Sequence, residues 1–319
     1  MRAVQMVAPR KIALLDDVPE PVLGDGEVLV RTRYVSICGS TMAPYVAVGR
    51  WGEMPYPKLP GWDGHESIGT IVASKLPGWE PGALVLAHPQ DYVGFAEVFR
   101  AKPPGLVRLP EGGDVASLIL AQPLATVLRA MSRLGPVIDR RCAVVGQGSM
   151  GLIFTSLLRH LGASQVIGID PLSWRLEWAK RLGATDAVDA SQGGVEEAVR
   201  GLTKGAMVDL SVEAVGLPEA LVTAVHLPRR FGKVCVFGVP RYDPMGFPIE
   251  RFFRGELEMI ASVGPDCAAY FELAAKMVVD GVLNLAPMIT HRLPWSEAQR
   301  AFDLYADRAD GAIKVVLEA

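Results

Sequence analysis

The feature that most constrains the fold is a glycine-rich segment near the middle of the chain, Gly146-Gln147-Gly148-Ser149-Met150-Gly151. It directly follows the short apolar run 143–145 and opens the amphipathic run 152–161, so we predict that it joins a strand to a helix. In such a turn the first glycine permits the tight bend, the second lets a ligand approach the backbone, and the third lets the helix pack closely on the sheet. The helix N-terminus also presents free N–H groups, which favour a bound phosphate. In this setting the pattern indicates a dinucleotide-binding site.

An acidic residue, Asp170, ends the next predicted strand (165–170), about 20 residues after the second glycine. A carboxylate there can accept hydrogen bonds from the ribose hydroxyls and would repel a 2′-phosphate, so the sequence favours NAD over NADP. Simpler interpretations stay open from the residues alone. The glycine turn could merely pack a helix on a strand, and Asp170 could be a turn residue before Pro171. Arg175 could be a solvated helix charge or could lie along the adenosine.

Strand and helix patterns alternate around this segment, which predicts a parallel sheet with helical crossovers. The predicted strands are 143–145, 165–170, 187–190, 208–215 and 233–240, and the predicted helices are 152–161 and 176–183. Residues 1–120 instead contain short apolar strands between Gly and Pro turns, which is typical of a β-rich domain. The pattern changes at 115–134, a predicted helix in which Pro123 is either a break or a first-turn residue.

Composition excludes several classes of protein. A chain of 319 residues suggests two domains at ~150 residues each, and 50% hydrophobic residues exclude a disordered chain. A net charge of −3 gives no electrostatic footprint for nucleic acid, and no uninterrupted apolar run is long enough to predict a membrane span. Charges at 10–11 and 16–17 interrupt any signal-peptide core, so we expect a cytoplasmic protein. The four cysteines are far apart, which argues against a zinc ribbon and a disulfide scaffold.

Two clusters in the β-rich region carry other chemistry, namely Cys38-Gly39-Ser40 and Gly64-His65-Glu66. A thiolate, an imidazole and a carboxylate are suitable zinc ligands, and a zinc with an open position lowers the proton affinity of an alcohol oxygen. Ser40 could then carry the proton away. The alternative is a buried cysteine that acts as a small hydrophobic residue beside a hydrogen-bonded histidine, and spacing alone favours that alternative. The remaining histidines lack ligand-like companions and are interpreted as structural or exposed: His88, His160, His226 and His291.

These segments together resemble the medium-chain dehydrogenase/reductase superfamily, and its zinc-type polyol and threonine dehydrogenase branch in particular. The segments that carry the resemblance are 24–40, 60–72, 94–99, 122–130, 144–151, 170–190, 208–216, 233–240 and 312–318. The resemblance implies an α/β protein with a GroES-like β-barrel catalytic domain (1–121 and 265–319) and an NAD-binding Rossmann domain (122–264). It also implies an active site in the cleft between the two domains and a homodimer or homotetramer.

Site residues follow from the resemblance by position. Cys38 and His65 match the zinc ligands, Glu66 matches the adjacent carboxylate, and Ser40 matches the proton-relay hydroxyl. The positions that match NAD contacts are Gly146, Gly148, Ser149, Met150, Gly151, Asp170, Arg175, Val215, Gly238 and Val239.

The chain departs from the family pattern at several positions. Thr41 stands where the family has an Asp that orients the zinc-bound histidine, and Gln122 stands where the family has a Glu. The usual histidine shortly after the cysteine is absent from 42–44. The four-cysteine lobe is also missing, since 88–99 passes straight through its place, so we predict no structural zinc. Because loss of an orienting partner weakens metal binding, the catalytic zinc stays open.

Three functions remain. The first is an NAD-dependent oxidoreductase that interconverts a secondary alcohol and a ketone, and Trp51 and Trp62 near the clusters favour a bulky or weakly polar substrate. The second is a zinc-independent quinone- or enoyl-type reductase of the same superfamily, in which Ser40, Thr41 and His65 would act by hydrogen bonding alone. The third is a catalytically silent NAD-binding protein.

Overall fold

The structure is a computed structural model that describes residues 1–242 and 246–319, without the side chains at 50–51 and 265–267. Trp51, which was singled out as a pocket residue, and Cys267 therefore lie outside the described side chains. The chain divides into two units, one formed by Met1–Ala125 and Cys267–Ala319 and the other by Thr126–Asp266.

Strands and helices are numbered here in chain order over the described residues. The strands are β1 (Ala3–Ala8), β2 (Lys11–Leu15), β3 (Val28–Ser36), β4 (Ser67–Ser74), β5 (Leu84–Ala87), β6 (Val98–Ala101), β7 (Leu106–Arg108), β8 (Arg141–Val145), β9 (Gln165–Asp170), β10 (Asp186–Asp189), β11 (Val208–Glu213), β12 (Pro228–Val236), β13 (Glu258–Ala261), β14 (Ile289–Pro294) and β15 (Lys314–Glu318). The α-helices are α1 (Gly39–Tyr45), α2 (Ala121–Leu134), α3 (Ser149–His160), α4 (Ser173–Arg181), α5 (Val195–Leu202), α6 (Pro218–His226), α7 (Ile249–Gly255), α8 (Phe271–Val279) and α9 (Ala298–Asp307).

The first unit is built on a sheet with the strand order β14-β15-β3-β4-β5-β7, and β6 also pairs with β3. Strand β3 alternates buried and exposed residues along most of its length, as expected of a strand with one face on a core. That core contains Val35, Ile37, Tyr45, Phe95 and Phe302. Strand β15 runs antiparallel to β3 with Val316 opposite Ser36, so the last strand of the chain lies beside the segment that leads to Cys38.

In the described part of the second unit, the strands form a parallel sheet with the order β10-β9-β8-β11-β12-β13. Four of the five residues of β8 and five of the six of β9 are buried, as in a sheet covered on both faces. The strand order reverses between β8 and β11, where ligands bind in sheets of this kind. The predicted parallel α/β sheet is confirmed. Strand β12 ends at Val236 instead of 240, because the chain turns there.

The predicted helix 115–134 is a 3₁₀ segment, Val115–Leu120, followed by α2. Pro123 lies in the first turn of α2, directly after the 3₁₀ segment, so it is a first-turn residue of this helix. By length and composition Val115–Leu134 could cross a membrane, and no other helix in the described ranges could. However, 72% of its most apolar window is buried inside the protein, as in a core helix.

Candidate active site

The glycine segment forms the turn between β8 and α3 that the sequence predicts. Gly146 has a φ of +90°, and a Cβ there would overlap the side chain of Val215. A Cβ at Gly151 would overlap the carbonyl oxygen of Gly146. At Gly148, in contrast, the nearest atom to a Cβ would be Arg175 Nη1 at 3.8 Å. The first and third glycines are therefore required by packing, and the second leaves space next to the backbone.

The side chain of Gln147 is fully buried and stabilises the turn through two hydrogen bonds. Its Nε2 donates to the carbonyl oxygen of Val144 (2.9 Å), and its Oε1 accepts a hydrogen bond from Thr155 Oγ1 (2.9 Å). These bonds tie the turn to the strand before it and to the helix after it. Ser149 and Met150 are the first residues of α3, and Ser149 is buried.

Asp170 lies at the end of β9, beside the turn. Its Oδ2 accepts the backbone N–H of Gln147 (2.7 Å), and its Oδ1 accepts the N–H of Leu172 (3.0 Å). Arg175 Nη1 lies 3.7 Å from Asp170 Oδ2, and the guanidinium stacks over Trp174 at 5.2 Å from the ring centroid. The structure thus brings Asp170, Arg175 and Gly148 together, so Arg175 is not a solvated helix charge.

Val215, Gly238 and Val239 lie in the loops after β11 and β12, which meet each other. A Cβ at Gly238 would overlap the backbone nitrogen of Gly216. Sequence reasoning missed the residue that organises these loops, Glu213. Its Oε1 accepts the backbone N–H groups of Val215 and Gly216, each at 2.7 Å. Burial raises the pKa of Glu213, and the N–H donors oppose that shift. A carboxyl group that ends a buried strand at the ligand-binding edge is the signal that could have found it.

A second cluster lies in the first unit, where Cys38 precedes α1 and where His65 and Glu66 precede β4. One ligand atom from each of the three residues lies within 4.8 Å of the others. The structure therefore brings together the three residues that the sequence offers as zinc ligands. Ser40 follows on α1 and is half-buried, whereas Thr41 is fully buried. Gln122 is buried in the first turn of α2.

Glu66 is held by a buried ion pair that sequence reasoning missed. Its Oε2 accepts hydrogen bonds from the Ser36 hydroxyl and from the ammonium of Lys314, which is fully buried. Lys314 also donates to the carbonyl oxygen of Ile37 (3.3 Å). Burial disfavours the charged ammonium, but the negative charges of Glu66 and Cys38 outweigh burial, so the pKa of Lys314 is raised. Within the described residues Glu66 Oε1 is buried without a hydrogen-bond partner.

His65 has a carboxylate partner, although the sequence suggested that it had lost one at Thr41. Its Nδ1 lies 3.1 Å from Asp63 Oδ1, and Thr41 Oγ1 lies 3.4 Å from Asp63 Oδ2. Burial opposes the charged imidazolium, but Cys38 and Asp63 favour it more strongly, so the pKa of His65 is well above its usual value. His65 therefore has a carboxylate neighbour, which comes from Asp63 and not from the position of Thr41.

Two aromatic rings lie against His65. The ring centroids of His88 and Tyr92 are 6.3 Å and 6.0 Å from that of His65. Burial and the neighbouring His65 lower the pKa of His88 to about 4, so His88 is neutral near neutral pH. His88 was interpreted as structural or exposed, and the structure places its ring beside His65 but outside the group of three candidate ligands. Trp62 lies three residues before His65, and its ring is 5.7 Å from Lys58 Nζ.

The residues present fit the groups that the sequence implies. Thiolate, imidazole and carboxylate donors suit zinc, and the buried carboxylate of Glu66 has one oxygen, Oε1, without a hydrogen-bond partner among the described residues. The space at Gly148, the N-terminus of α3 and the carboxylate of Asp170 suit the pyrophosphate and ribose of a dinucleotide.

Comparison with known proteins gives the same two regions. The alcohol dehydrogenase GroES-like domain family matches residues 24–121, and the zinc-binding dehydrogenase family matches residues 149–280. The chain belongs to the zinc-type medium-chain dehydrogenase/reductase family. It is similar to L-threonine 3-dehydrogenase of Bacillus subtilis (strain 168), with 26% identity over 96% of this chain and 94% of the relative.

Solved structures of family members have the same fold. Alcohol dehydrogenase TADH from Thermus sp. ATN1 has a TM-score of 0.86 at 27% identity and covers 100% of this chain and 99% of its own. Galactitol-1-phosphate dehydrogenase from Escherichia coli has a TM-score of 0.86 at 22% identity, covers 100% of both chains and shows the fold alone. The predicted combination of a GroES-like domain and a Rossmann-type domain is confirmed. The chain is therefore an alcohol-dehydrogenase-like oxidoreductase of this family.

Proposed function

We propose that this family member is an NAD-dependent dehydrogenase that interconverts a secondary alcohol and a ketone, with one catalytic zinc held by Cys38, His65 and Glu66. The observation that carries the proposal is the convergence of one donor atom each from Cys38, His65 and Glu66 within 4.8 Å of one another. The buried carboxylate of Glu66 also has one oxygen, Oε1, without a hydrogen-bond partner among the described residues. A buried polar atom without a partner is costly, so its presence beside a thiol and an imidazole supports a metal site.

The cofactor is assigned to the second unit. The backbone at Gly148 and the N-terminus of α3 would hold the pyrophosphate, and Asp170 would bind the adenosine ribose. Arg175 lies beside Asp170 on the same side of the turn. Because Asp170 also bonds the N–H of Gln147, it fixes the conformation of the turn that it would share with the cofactor.

Oxidation removes a hydride and a proton from the alcohol, for which bound NAD⁺ supplies the hydride acceptor and bound zinc a Lewis acid. Cys38, His65 and Glu66 hold their donor atoms in place, and Lys314 fixes Glu66 from behind. The half-buried hydroxyl of Ser40 would relay the proton, accepting it on its oxygen while it releases its own proton to solvent. Tyr92 and His88 lie beside His65 and give its surroundings an aromatic character, which supports a bulky or weakly polar substrate.

The test combines metal analysis of the purified protein with NAD⁺ reduction over a panel of secondary alcohols. The proposal requires stoichiometric zinc and formation of NADH, both lost in Cys38→Ala. The matched control is Cys142→Ala, a buried cysteine in β8 of the other unit, which should retain zinc. Oxidation of NADPH by quinones or enones without metal would instead indicate the zinc-independent reductase. Tight NAD binding without turnover on any substrate would indicate a silent binding protein. Light scattering tests the expected homodimer or homotetramer.

A further inference from the structure

The Nδ1 nitrogen of His65 contacts a carboxylate from its own segment of the chain. Asp63 lies two residues before His65, and its Oδ1 is 3.1 Å from His65 Nδ1. The side chains of Asp63 and His65 are only 13% and 12% exposed, so water competes little for this contact. The second carboxylate oxygen faces Thr41 Oγ1 at 3.4 Å, a long contact.

We propose that Asp63 is the positioning residue of the metal centre and takes over the task for which the family uses a carboxylate at the position of Thr41. The inference rests on the proposed zinc site. Thr41 is fully buried on α1 and faces the carboxylate of Asp63, so the two positions address the same region from two different segments. In this chain the carboxylate next to His65 is therefore that of Asp63, on the same segment as the histidine, and not one on α1.

The physical task of Asp63 is to fix the ring and the tautomer of His65. When a carboxylate accepts the proton of Nδ1, the neutral ring keeps its lone pair on Nε2, which is the nitrogen left for a metal. The same bond stops rotation of the ring and makes the nitrogen a better donor. Thr41 supports Asp63 and is not itself a partner of His65.

Zinc affinity, measured by chelator competition, tests the inference in four proteins: wild type, Asp63→Ala, Asp63→Asn and the double variant Thr41→Asp/Asp63→Ala. We expect Asp63→Ala to bind zinc about 10- to 100-fold more weakly. Asp63→Asn retains one acceptor oxygen and should lose less. The double variant restores a carboxylate from the family's position and should recover most of the affinity. Asp25→Ala is the control, because the Asp25 side chain is 97% exposed.

A second measurement does not depend on metal. The ¹⁵N signal of His65 Nδ1, assigned with a His65→Asn variant, should shift in metal-free Asp63→Ala and return in the double variant. Equal zinc affinity of wild type and Asp63→Ala would overturn the inference. So would a loss of zinc in all three Asp63 variants with an unchanged Nδ1 signal, since Asp63 would then act only on the loop. If wild-type protein binds no zinc, the proposed metal centre fails, and the Nδ1 signal alone decides the role of Asp63.

Discussion

The glycine turn of the second unit and the Cys38–His65–Glu66 cluster of the first unit are built in different ways. The turn depends on its backbone conformation, because a Cβ at Gly146 or at Gly151 would overlap neighbouring atoms. The cluster depends on side chains from segments that are far apart in the sequence, and Lys314 forms an ion pair with Glu66. The turn is therefore specified locally, whereas the cluster depends on the folding of the whole first unit.

This difference predicts different responses to substitution. In the turn, a methyl group added at Gly151 should destabilise the fold, because it would meet the backbone carbonyl oxygen of Gly146. In the cluster, removal of one charge matters because its partner is left buried without compensation.

The largest effect is expected for Lys314→Met, which leaves the carboxylate of Glu66 buried without its partner. Breaking a buried ion pair costs about 3–5 kcal/mol, and we expect a loss of this size in the free energy of unfolding measured with urea. The double variant Glu66→Gln/Lys314→Met removes both charges and should recover a large part of the loss. A Lys314→Met protein as stable as wild type would show that the cluster does not depend on distant charges.

A smaller loss is expected in the turn. Gly151→Ala forces a Cβ onto the carbonyl oxygen of Gly146, and overpacking of this kind costs about 1–3 kcal/mol of unfolding free energy. Gly148→Ala is the matched variant, because the φ of Gly148 is −74° and the space beside it is open. We expect it to fold normally but to bind NAD about 10-fold or more weakly by calorimetry, a change of about 1.4 kcal/mol. Unchanged NAD binding in Gly148→Ala would show that NAD does not bind in the space beside Gly148.

The effect that is smallest at neutral pH, where both thiols are protonated in the folded and in the unfolded chain, concerns Cys142 and Cys235. Burial raises the pKa of Cys142 in β8 and of Cys235 in β12 to about 12 from 9.0. The unfolded chain therefore releases these protons first as the pH rises, so the free energy of unfolding should fall between pH 9 and pH 12. The slope is about 1.4 kcal/mol per pH unit for each thiol. In metal-free protein at neutral pH, iodoacetamide should label the half-buried Cys38 and spare Cys142 and Cys235 until urea is added, as read by mass spectrometry. Labelling of Cys142 in the folded protein would contradict this expectation.

The sequence predicts the turn well because its signals are local. The strand, the three glycines, the helix and Asp170 all lie within residues 141–170, and their order follows from rules of backbone geometry. Glu213 was missed even though its signal, a carboxyl group at the end of a buried strand, is of the same kind.

The cluster is only partly predictable. Cys38, His65 and Glu66 can be proposed from residue type and family pattern. Lys314 has no local signal, because its relation to Glu66 arises only when β15 pairs with β3. Asp63 lies two residues before His65, but the sequence does not show which way the His65 ring is turned. The contact between the two side chains is therefore seen only in the structure. Charge partners that meet through tertiary structure are what a single sequence shows least.

The pairing of β15 with β3 also bears on the order in which the protein folds during synthesis. The ribosome makes Glu66 before the second unit and Lys314 after it, and the second unit is one continuous stretch of chain. Domains usually fold as they emerge, the N-terminal one first. In this chain we expect the opposite order, because the continuous second unit can close before the first unit receives β15.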